Sequence, residues 1–227
     1  MTGPREAADW IDTLPEPLRT EVLGRMQTRR YEHGELIYRC GEPGTELLQI
    51  VSGAVRIYTL TADGRELLYD LFPAGTCFGE TSVLDDLPRA HMTQAIGPTT
   101  LRVLSRADFL DLWRRHPEIS LAVARVLCAR ARRLYTIYES VSLATLSRRM
   151  AVRLCALSGS IGEERPDGVH FNMRLTQEDI GSLAAGARQS VNRVLKQWQG
   201  EGIIDLAYGT LVIRRLPELQ RLAAEPD

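Results

Sequence analysis

Hydrophobic positions change their period three times along the chain. Over residues 5–30 the apolar side chains Trp10, Leu14, Leu18, Val22 and Met26 fall at helical spacing, interrupted by Pro15 and Pro17, which predicts short helices. From Tyr31 short apolar runs alternate with turn signals: Leu36-Ile37-Tyr38, Gly41-Glu42-Pro43-Gly44, Leu47 to Val51, Ser52-Gly53, Val55 to Leu60, Asp63-Gly64, Leu67 to Phe72, Pro73-Ala74-Gly75. Strands at such spacing predict an all-β sandwich or barrel, with Asp63-Gly64 as a hairpin and a last strand at Thr100–Leu104. Residues 106–115 read as a helix stopped by His116-Pro117.

Residues 118–157 are the longest helical stretch. Val123, Leu127, Leu134, Ile137, Val141 and Ala144 recur at spacings of 3 and 4, with Arg130 as the polar member of the series. Such a seam suits two helices packed along their length. About 25–30 residues make a rod of about 40 Å, more than one small domain covers. A homodimer through this helix is therefore expected; the plainer alternative is an amphipathic helix lying on its own β domain. Ser158–Gly168 reads as a loop, followed by a strand at Val169–Met173, a helix, a turn, a second helix and a hairpin at Tyr208-Gly209.

Composition narrows the class. With 227 residues the chain holds one large domain or two small ones, and 44% hydrophobic with 25% charged residues excludes disorder and collagen-like structure. The net charge of −1 hides an asymmetry: residues 1–116 sum to −4 and residues 117–227 to +3. A basic half hints at a nucleic-acid or membrane partner. The start, Met1-Thr2-Gly3-Pro4-Arg5-Glu6, lacks a signal-peptide pattern, and no run approaches the ~20 apolar residues of a membrane span. Cys40, Cys77, Cys128 and Cys155 are widely spaced and read as small buried hydrophobes rather than as disulfide, metal or iron–sulfur ligands. A cytoplasmic protein without metal or haem is expected.

Two stretches carry chemistry. The first is Phe78-Gly79-Glu80-Thr81-Ser82-Val83-Leu84, followed by Pro88-Arg89-Ala90. Gly79 permits close backbone approach. A short helix start at Thr81–Leu84 offers N–H groups to an anion. Arg89 offers a donor fork that matches a phosphate, and Glu80 accepts hydrogen bonds from sugar hydroxyls. A surface turn with a salt bridge is the plainer reading of the same residues. F-G-E-x7-P-R-A inside a Gly-punctuated β-roll, ahead of a long helix, resembles the phosphate-binding cassette of cyclic-nucleotide-binding domains, over Tyr31 to about Leu110. The resemblance implies that Glu80 holds the ribose 2′-hydroxyl, that Arg89 pairs with the cyclic phosphate, and that the backbone at Gly79 and Ala90 completes the cradle with Thr81. Arg130 stands where a helix arginine of the family approaches the ligand. Ala90 stands where pockets preferring cyclic GMP hold Thr, which implies cyclic AMP first and cyclic GMP second. The family's polar Thr-Ser pair over the base is met by Leu134 and Tyr135, with Thr136 one step along. The phosphate end of the site is thus carried over, and Tyr135 and Thr136 are the candidates at the base end.

The second stretch is Leu175 to Gly200. Thr176 followed by Asp179 is a helix start close to a capping box. Ile180, Leu183 and Ala184 make a buried stripe, Ala185-Gly186-Ala187 a tight turn, and Val191, Val194, Leu195 and Trp198 an apolar face of a second helix. The opposite face carries Arg188, Gln189, Ser190, Asn192, Arg193 and Lys196. A solvated αα-hairpin is the plainer reading, yet these side chains are the ones that bond bases: Arg to guanine, Gln to adenine.

Taken together, the order from about residue 20 to 215 resembles the cyclic-AMP receptor protein and fumarate–nitrate regulator (CRP/FNR) family of bacterial transcription factors. The resemblance implies an α+β fold: a jelly-roll-like cyclic-nucleotide-binding β-roll over 1–117, a dimerisation helix over 118–145, and a winged helix-turn-helix over 146–227. It implies base contacts from Arg188 and Arg193, phosphate contacts near Thr176, Gln177 and Ser190, Lys196 on the same basic face, and double-stranded DNA, a second copy of the chain and RNA polymerase as partners. Gln189 replaces a Glu common in the cyclic-AMP-responsive branch, shifting the expected base from cytosine to adenine. Three rivals stand: a regulator that is ligand-independent or senses another signal, haem or redox state included; a cyclic-nucleotide module of a kinase or channel; and an enzyme, for which G-x-S-x-G, P-loop and H-E-x-x-H motifs are all missing.

Overall fold

The computed structural model describes residues 9–61, 66–171, 175–207 and 210–224. They fall into two units, Met1–Thr59 with Leu71–Arg132, and Leu60–Asp70 with Arg133–Asp227.

The first unit is built on an antiparallel sheet. Its elements are α1 (Glu16–Gly24), β1 (Gln27–Tyr31), β2 (Leu36–Tyr38), β3 (Glu46–Leu60), β4 (Glu66–Pro73), β5 (Cys77–Phe78), α2 (Glu80–Asp85), β6 (Met92–Ser105), α3 (Arg106–Arg115) and α4 (Pro117–Leu143), with β3, β4 and α4 running on into the second unit. The strand order is β1-β6-β3-β4, with β2 also on β6 and β5 on β3. The ladder between β3 and β6 runs from Glu46↔Ser105 to Tyr58↔Met92.

One apolar layer joins Trp10, Leu14, Leu18 and Val22 to Leu47, Leu104, Phe109, Leu112, Ile119 and Val123, so α1, α3 and the start of α4 cover one side of the sheet. A second layer, Tyr38, Leu48, Ile50, Val55, Phe78, Leu101 and Val103, lies within the roll, with Phe72 packed against it. Ser105 caps α3 by accepting from the Asp108 N–H at 3.1 Å, which is why the helix starts at Arg106 as its sequence predicts.

Two expectations are corrected here. Gln27–Arg30 continue no helix: they are strand, paired with β6 from Gln27↔Val103 to Tyr31↔Thr99. Their side chains are solvent-facing, so no apolar alternation marks them. Ser52-Gly53 is not a turn between two strands. Both halves of β3 pair with the same partner, and the register shifts across this pair as a bulge, with Gly53 at φ +81°. A Cβ there would meet the Pro98 carbonyl at 2.6 Å, so glycine is needed for the strands to approach. The Asp63-Gly64 hairpin lies outside the described residues.

The second unit carries α5 (Leu146–Ile161), β7 (Gly162–Arg165), β8 (Gly168–Phe171), α6 (Gln177–Leu183), α7 (Arg188–Gly200), β9 (Ile204–Ala207), β10 (Thr210–Ile213) and α8 (Leu216–Ala224). The sheet order is β7-β8-β10-β9. The predicted loop at Ser158–Gly168 is a correction too. Its first residues finish α5 and the next form β7, paired with β8 from Gly162↔Phe171 to Arg165↔Gly168. Exposed Glu163, Glu164 and Arg165 carry no strand pattern; the pairing partner makes the strand. β8 takes the first part of the predicted strand, and Met173 lies outside the described residues. β9 and β10 pair antiparallel on either side of Tyr208-Gly209, which also lies outside them.

The single helical stretch of 118–157 is two helices. Thr145 caps α5 by accepting from the Arg148 N–H, which separates it from α4. On α4, Val123 is in the core of the first unit and Leu127 packs partly against it, so the start of the proposed seam lies on its own β domain. Farther along, Leu134, Tyr135 and Tyr138 are exposed, while the side chain of Val141 lies outside the described residues. No helix among the described residues is long and apolar enough to cross a membrane. Of the cysteines Cys77 is buried and Cys155 half-buried, but Cys40 and Cys128 are exposed, against expectation.

Candidate functional site

The glycine turn of the first motif is built as a cradle. Gly79 ends β5 and caps α2 at φ +90°, and no side chain caps that helix. A Cβ at Gly79 would stand 2.8 Å from Nη1 of Arg89, so the missing side chain is what admits the guanidinium. Arg89 is buried; its Nη1 donates to the Gly79 carbonyl at 2.8 Å and its Nη2 to the Glu46 carbonyl at 2.5 Å. The Tyr38 ring lies under its Cζ at 4.3 Å, a cation–π contact that offsets part of the cost of burial. The Arg89 N–H donates to Glu42 O and the Arg89 carbonyl accepts from Gly41 N–H, both at 2.8 Å, so the return of the cassette is laced to the 41–42 turn.

Glu80, the first residue of α2, has a side chain only 2% exposed. Its Oε1 accepts from Nη1 of Arg130 on α4, whose Nη2 donates to the Cys77 carbonyl and whose Cζ lies 5.1 Å from the Phe72 ring. An ionised carboxylate so deeply buried needs a cation and hydrogen bonds. Arg130 satisfies one oxygen. Within the cassette two side-chain polar atoms, Glu80 Oε2 and Arg89 Nε, are left buried without a protein partner among the described residues. The pair is complementary. Oε2 accepts from a hydroxyl; Nε donates to an anion. The positive field shows in His91, whose pKa is held below its ordinary value first by burial and then by Arg89 and Arg130.

The structure therefore brings Gly79, Glu80, Arg89 and Arg130 together, with exposed Thr81 and Ala90 on the flanks. Tyr135 and Thr136 are both exposed and fall in the second unit. Sequence reading missed Tyr38, Phe72 and the carbonyls of Glu46 and Cys77. The rings had a faint signal as aromatics in buried strands; backbone carbonyls have none.

In the second unit, α6 opens with the capping box its sequence announces. The Thr176 hydroxyl accepts from the Asp179 N–H at 3.1 Å, and the Asp179 carboxylate accepts from the Thr176 N–H at 3.0 Å. Gln177 is the first helical residue. The turn at Ala185-Gly186-Ala187 follows, with Ala185 at φ +50°. A Cβ on Gly186 would meet Leu146 Cδ1 at 2.6 Å, so the turn sits hard against α5. α7 buries Val191, Leu195 and Trp198 and exposes Arg188, Gln189, Arg193 and Lys196, with Ser190 half-buried. Positions 188, 189, 192, 193 and 196 lie on one helical face. No carboxylate among the described residues pairs with Arg188, Arg193 or Lys196.

The other arginines nearby are engaged. Arg149 donates to the carbonyls of Ala144 and Ala184 at 3.0 and 2.9 Å, and Arg153 to that of Leu183 at 2.9 Å, which fixes the C-terminal end of α6. Arg214 bridges Asp167 and Asp205 across the small sheet. These ties to backbone carbonyls and carboxylates carry no signal in the sequence. They leave the cations of α7 as a row of unneutralised donors.

Comparison with known proteins agrees with both constellations. The model of the cyclic nucleotide-binding domain matches residues 28–116, and that of the Crp-like helix-turn-helix domain matches residues 148–222. The chain is 31% identical to the CRP-like cAMP-activated global transcriptional regulator of Mycobacterium tuberculosis, over 92% of this chain and 93% of that one. It is 30% identical to the cyclic AMP receptor protein of Thermus thermophilus, over 89% and 90%. FixK2 from Bradyrhizobium japonicum shares the fold, with a TM-score of 0.77 at 22% identity over 89% of this chain and 99% of that one.

Proposed function

The chain belongs to the CRP/FNR family of DNA-binding transcriptional regulators, with a cyclic nucleotide-binding domain ahead of its helix-turn-helix, and from that premise we propose that it is a homodimeric regulator gated by a cyclic nucleotide, cyclic AMP in preference to cyclic GMP. One observation carries the reading. Glu80 Oε2 and Arg89 Nε, the cassette's polar side-chain atoms left buried without a protein partner among the described residues, are an acceptor and a donor. A ribose hydroxyl and a cyclic phosphate meet those needs; neither a neutral apolar ligand nor a metal ion meets both. Ala90 supports cyclic AMP by removing the hydroxyl expected of a cyclic-GMP pocket.

In the DNA-bound form Arg188, Gln189 and Arg193 would read base edges, with Lys196, Ser190, Thr176 and Gln177 at phosphates. The exposed Leu134, Tyr135 and Tyr138 on α4 support a seam with a second copy, which would set two recognition helices about 34–36 Å apart, the spacing of helix-turn-helix dimers, members of this family included. RNA polymerase would be the downstream partner, in the cytoplasm.

A second reading, regulation without a ligand, is favoured by the state of Arg89. Both its Nη groups already bond backbone carbonyls, and Arg130 already neutralises Glu80. Calorimetric titration with cyclic AMP and cyclic GMP separates the two. Saturable binding of cyclic AMP supports the proposal, and binding of neither at millimolar ligand replaces it with the second reading. DNA affinity that falls with salt, and falls further in Arg193→Ala, tests the interface.

A further inference from the structure

We propose that His91 is a third basic group of the nucleotide site: it takes up a proton as the anionic ligand enters, so effector affinity rises as pH falls. The inference rests on the cyclic-nucleotide reading above and adds a proton as a second input at the same site.

Between α2 and β6 the chain returns through Pro88-Arg89-Ala90-His91. Arg89 turns inward and is buried, Ala90 is exposed, and His91 is half-buried. One ring ties His91 to the inner side. Tyr38 of β2 lies under the Arg89 guanidinium at 4.3 Å, and its ring centroid is 6.3 Å from that of His91. Tyr38 also stands in register with Thr93, two residues farther along the same return. Arg89 and His91 therefore share one aromatic wall of the cradle.

His91 feels two fixed cations, Arg89 on its own segment and Arg130 on α4. Together with burial, the larger cause, they disfavour a protonated ring. A cyclic phosphate on Arg89 Nε, a buried donor without a protein partner among the described residues, brings a negative charge to the source of that repulsion. The imidazole then protonates more readily, and the imidazolium in turn favours the anion. The neighbouring ionisable groups are otherwise engaged. Glu80 of α2 is held by Arg130, and Glu42 accepts the Arg39 N–H. The Cys40 thiol donates to the Ala90 carbonyl. On β3, Tyr58, in register with Met92, lies under Arg56. Burial raises the pKa of the Tyr38 phenol, which stays neutral.

Packing alone does not ask for histidine here. A glutamine or methionine fills a half-buried position beside two guanidiniums, and neither can be driven to a repelled cation. Only an imidazole changes its charge near neutrality without a large shift of its pKa.

The test titrates the full-length protein with cyclic AMP by calorimetry from about pH 8 to about pH 6, each pH in two buffers of different ionisation enthalpy, which counts the protons taken up. Neither adenine nor the cyclic phosphate changes charge over that range. Each unit by which binding raises the imidazole pKa is worth at most tenfold, so wild-type affinity should rise about 3- to 10-fold from about pH 8 to about pH 6, with net proton uptake. His91→Gln and His91→Asn should give flat profiles and no uptake. The imidazole signals of the wild type in nuclear magnetic resonance decide even where a variant does not fold: one ring should titrate at higher pH with cyclic AMP bound than without it. A flat wild-type profile, or uptake of the same size in a folded variant, overturns the proposal and leaves the effector reading standing. A wild type that binds no cyclic AMP at millimolar ligand overturns the effector reading, and the role of His91 falls with it.

Discussion

Glu80 shows how little of a binding residue is visible in its own letter. F-G-E placed it in a cassette, but its pairing with Arg130, fifty residues away, and the one oxygen left over are products of the fold. Glu80→Gln removes the charge and keeps the shape. Hydrogen bonds to a charged group contribute about 1.5–3 kcal/mol, so cyclic AMP affinity should fall roughly 10- to 100-fold by calorimetry, and the melting temperature should fall as well because Arg130 loses its counter-charge. His91 is a second residue-scale case. Burial, then Arg89 and Arg130, hold its pKa below the ordinary 6.5. The unfolded chain therefore takes up the proton first as pH falls, and stability that is whole above about pH 6.5 declines below it, until the folded imidazole also protonates. Thermal melts between about pH 8 and pH 5 should show that decline, and His91→Gln should flatten it. No pH dependence of the difference between the two proteins would refute the assignment.

Elements differ in how far their own residues specify them. α6 announces itself through Thr176 and Asp179, and the box forms as read. Thr176→Ala should cost about 1 kcal/mol of stability, seen as a lower denaturant midpoint at unchanged slope. α7 is equally legible, because Val191, Leu195 and Trp198 recur on one face while the cations recur on the other. β1 and β7 are the opposite case. Their side chains are largely exposed and polar, and each is a strand because a partner strand supplies its hydrogen bonds. The Ser52-Gly53 bulge escaped for a related reason: a positive-φ glycine serves a turn and a bulge alike, and the pairing of both flanks with β6 decides between them.

At the scale of the whole molecule the open face of α4 matters most. Val123 and Leu127 belong to the first unit's core, which leaves Leu134, Tyr135 and Tyr138 as the exposed apolar stretch. If this stretch is the seam between two copies, Leu134→Glu with Tyr138→Glu should convert a dimer to a monomer in sedimentation or light scattering. Specific DNA affinity should fall by more than tenfold, because one recognition helix then works alone. A dimer that survives both changes would place the interface elsewhere.

The sequence alone determined the order of parts: a β-rich sensing region, a long helix, a basic two-helix reader, and the family to which that order belongs. It could do so because glycine turns, helix caps and helical periodicity are local properties, written within a few residues. Tertiary structure alone decided which groups remain unsatisfied. Backbone carbonyls take both Nη groups of Arg89, Arg130 takes one oxygen of Glu80, and the arginines of α5 are spent on helix ends and on β4. Apart from Arg130, those partners are main-chain atoms brought in from distant strands and turns. A carbonyl is the same in every residue, so its role depends on where the chain carries it, and no letter records that.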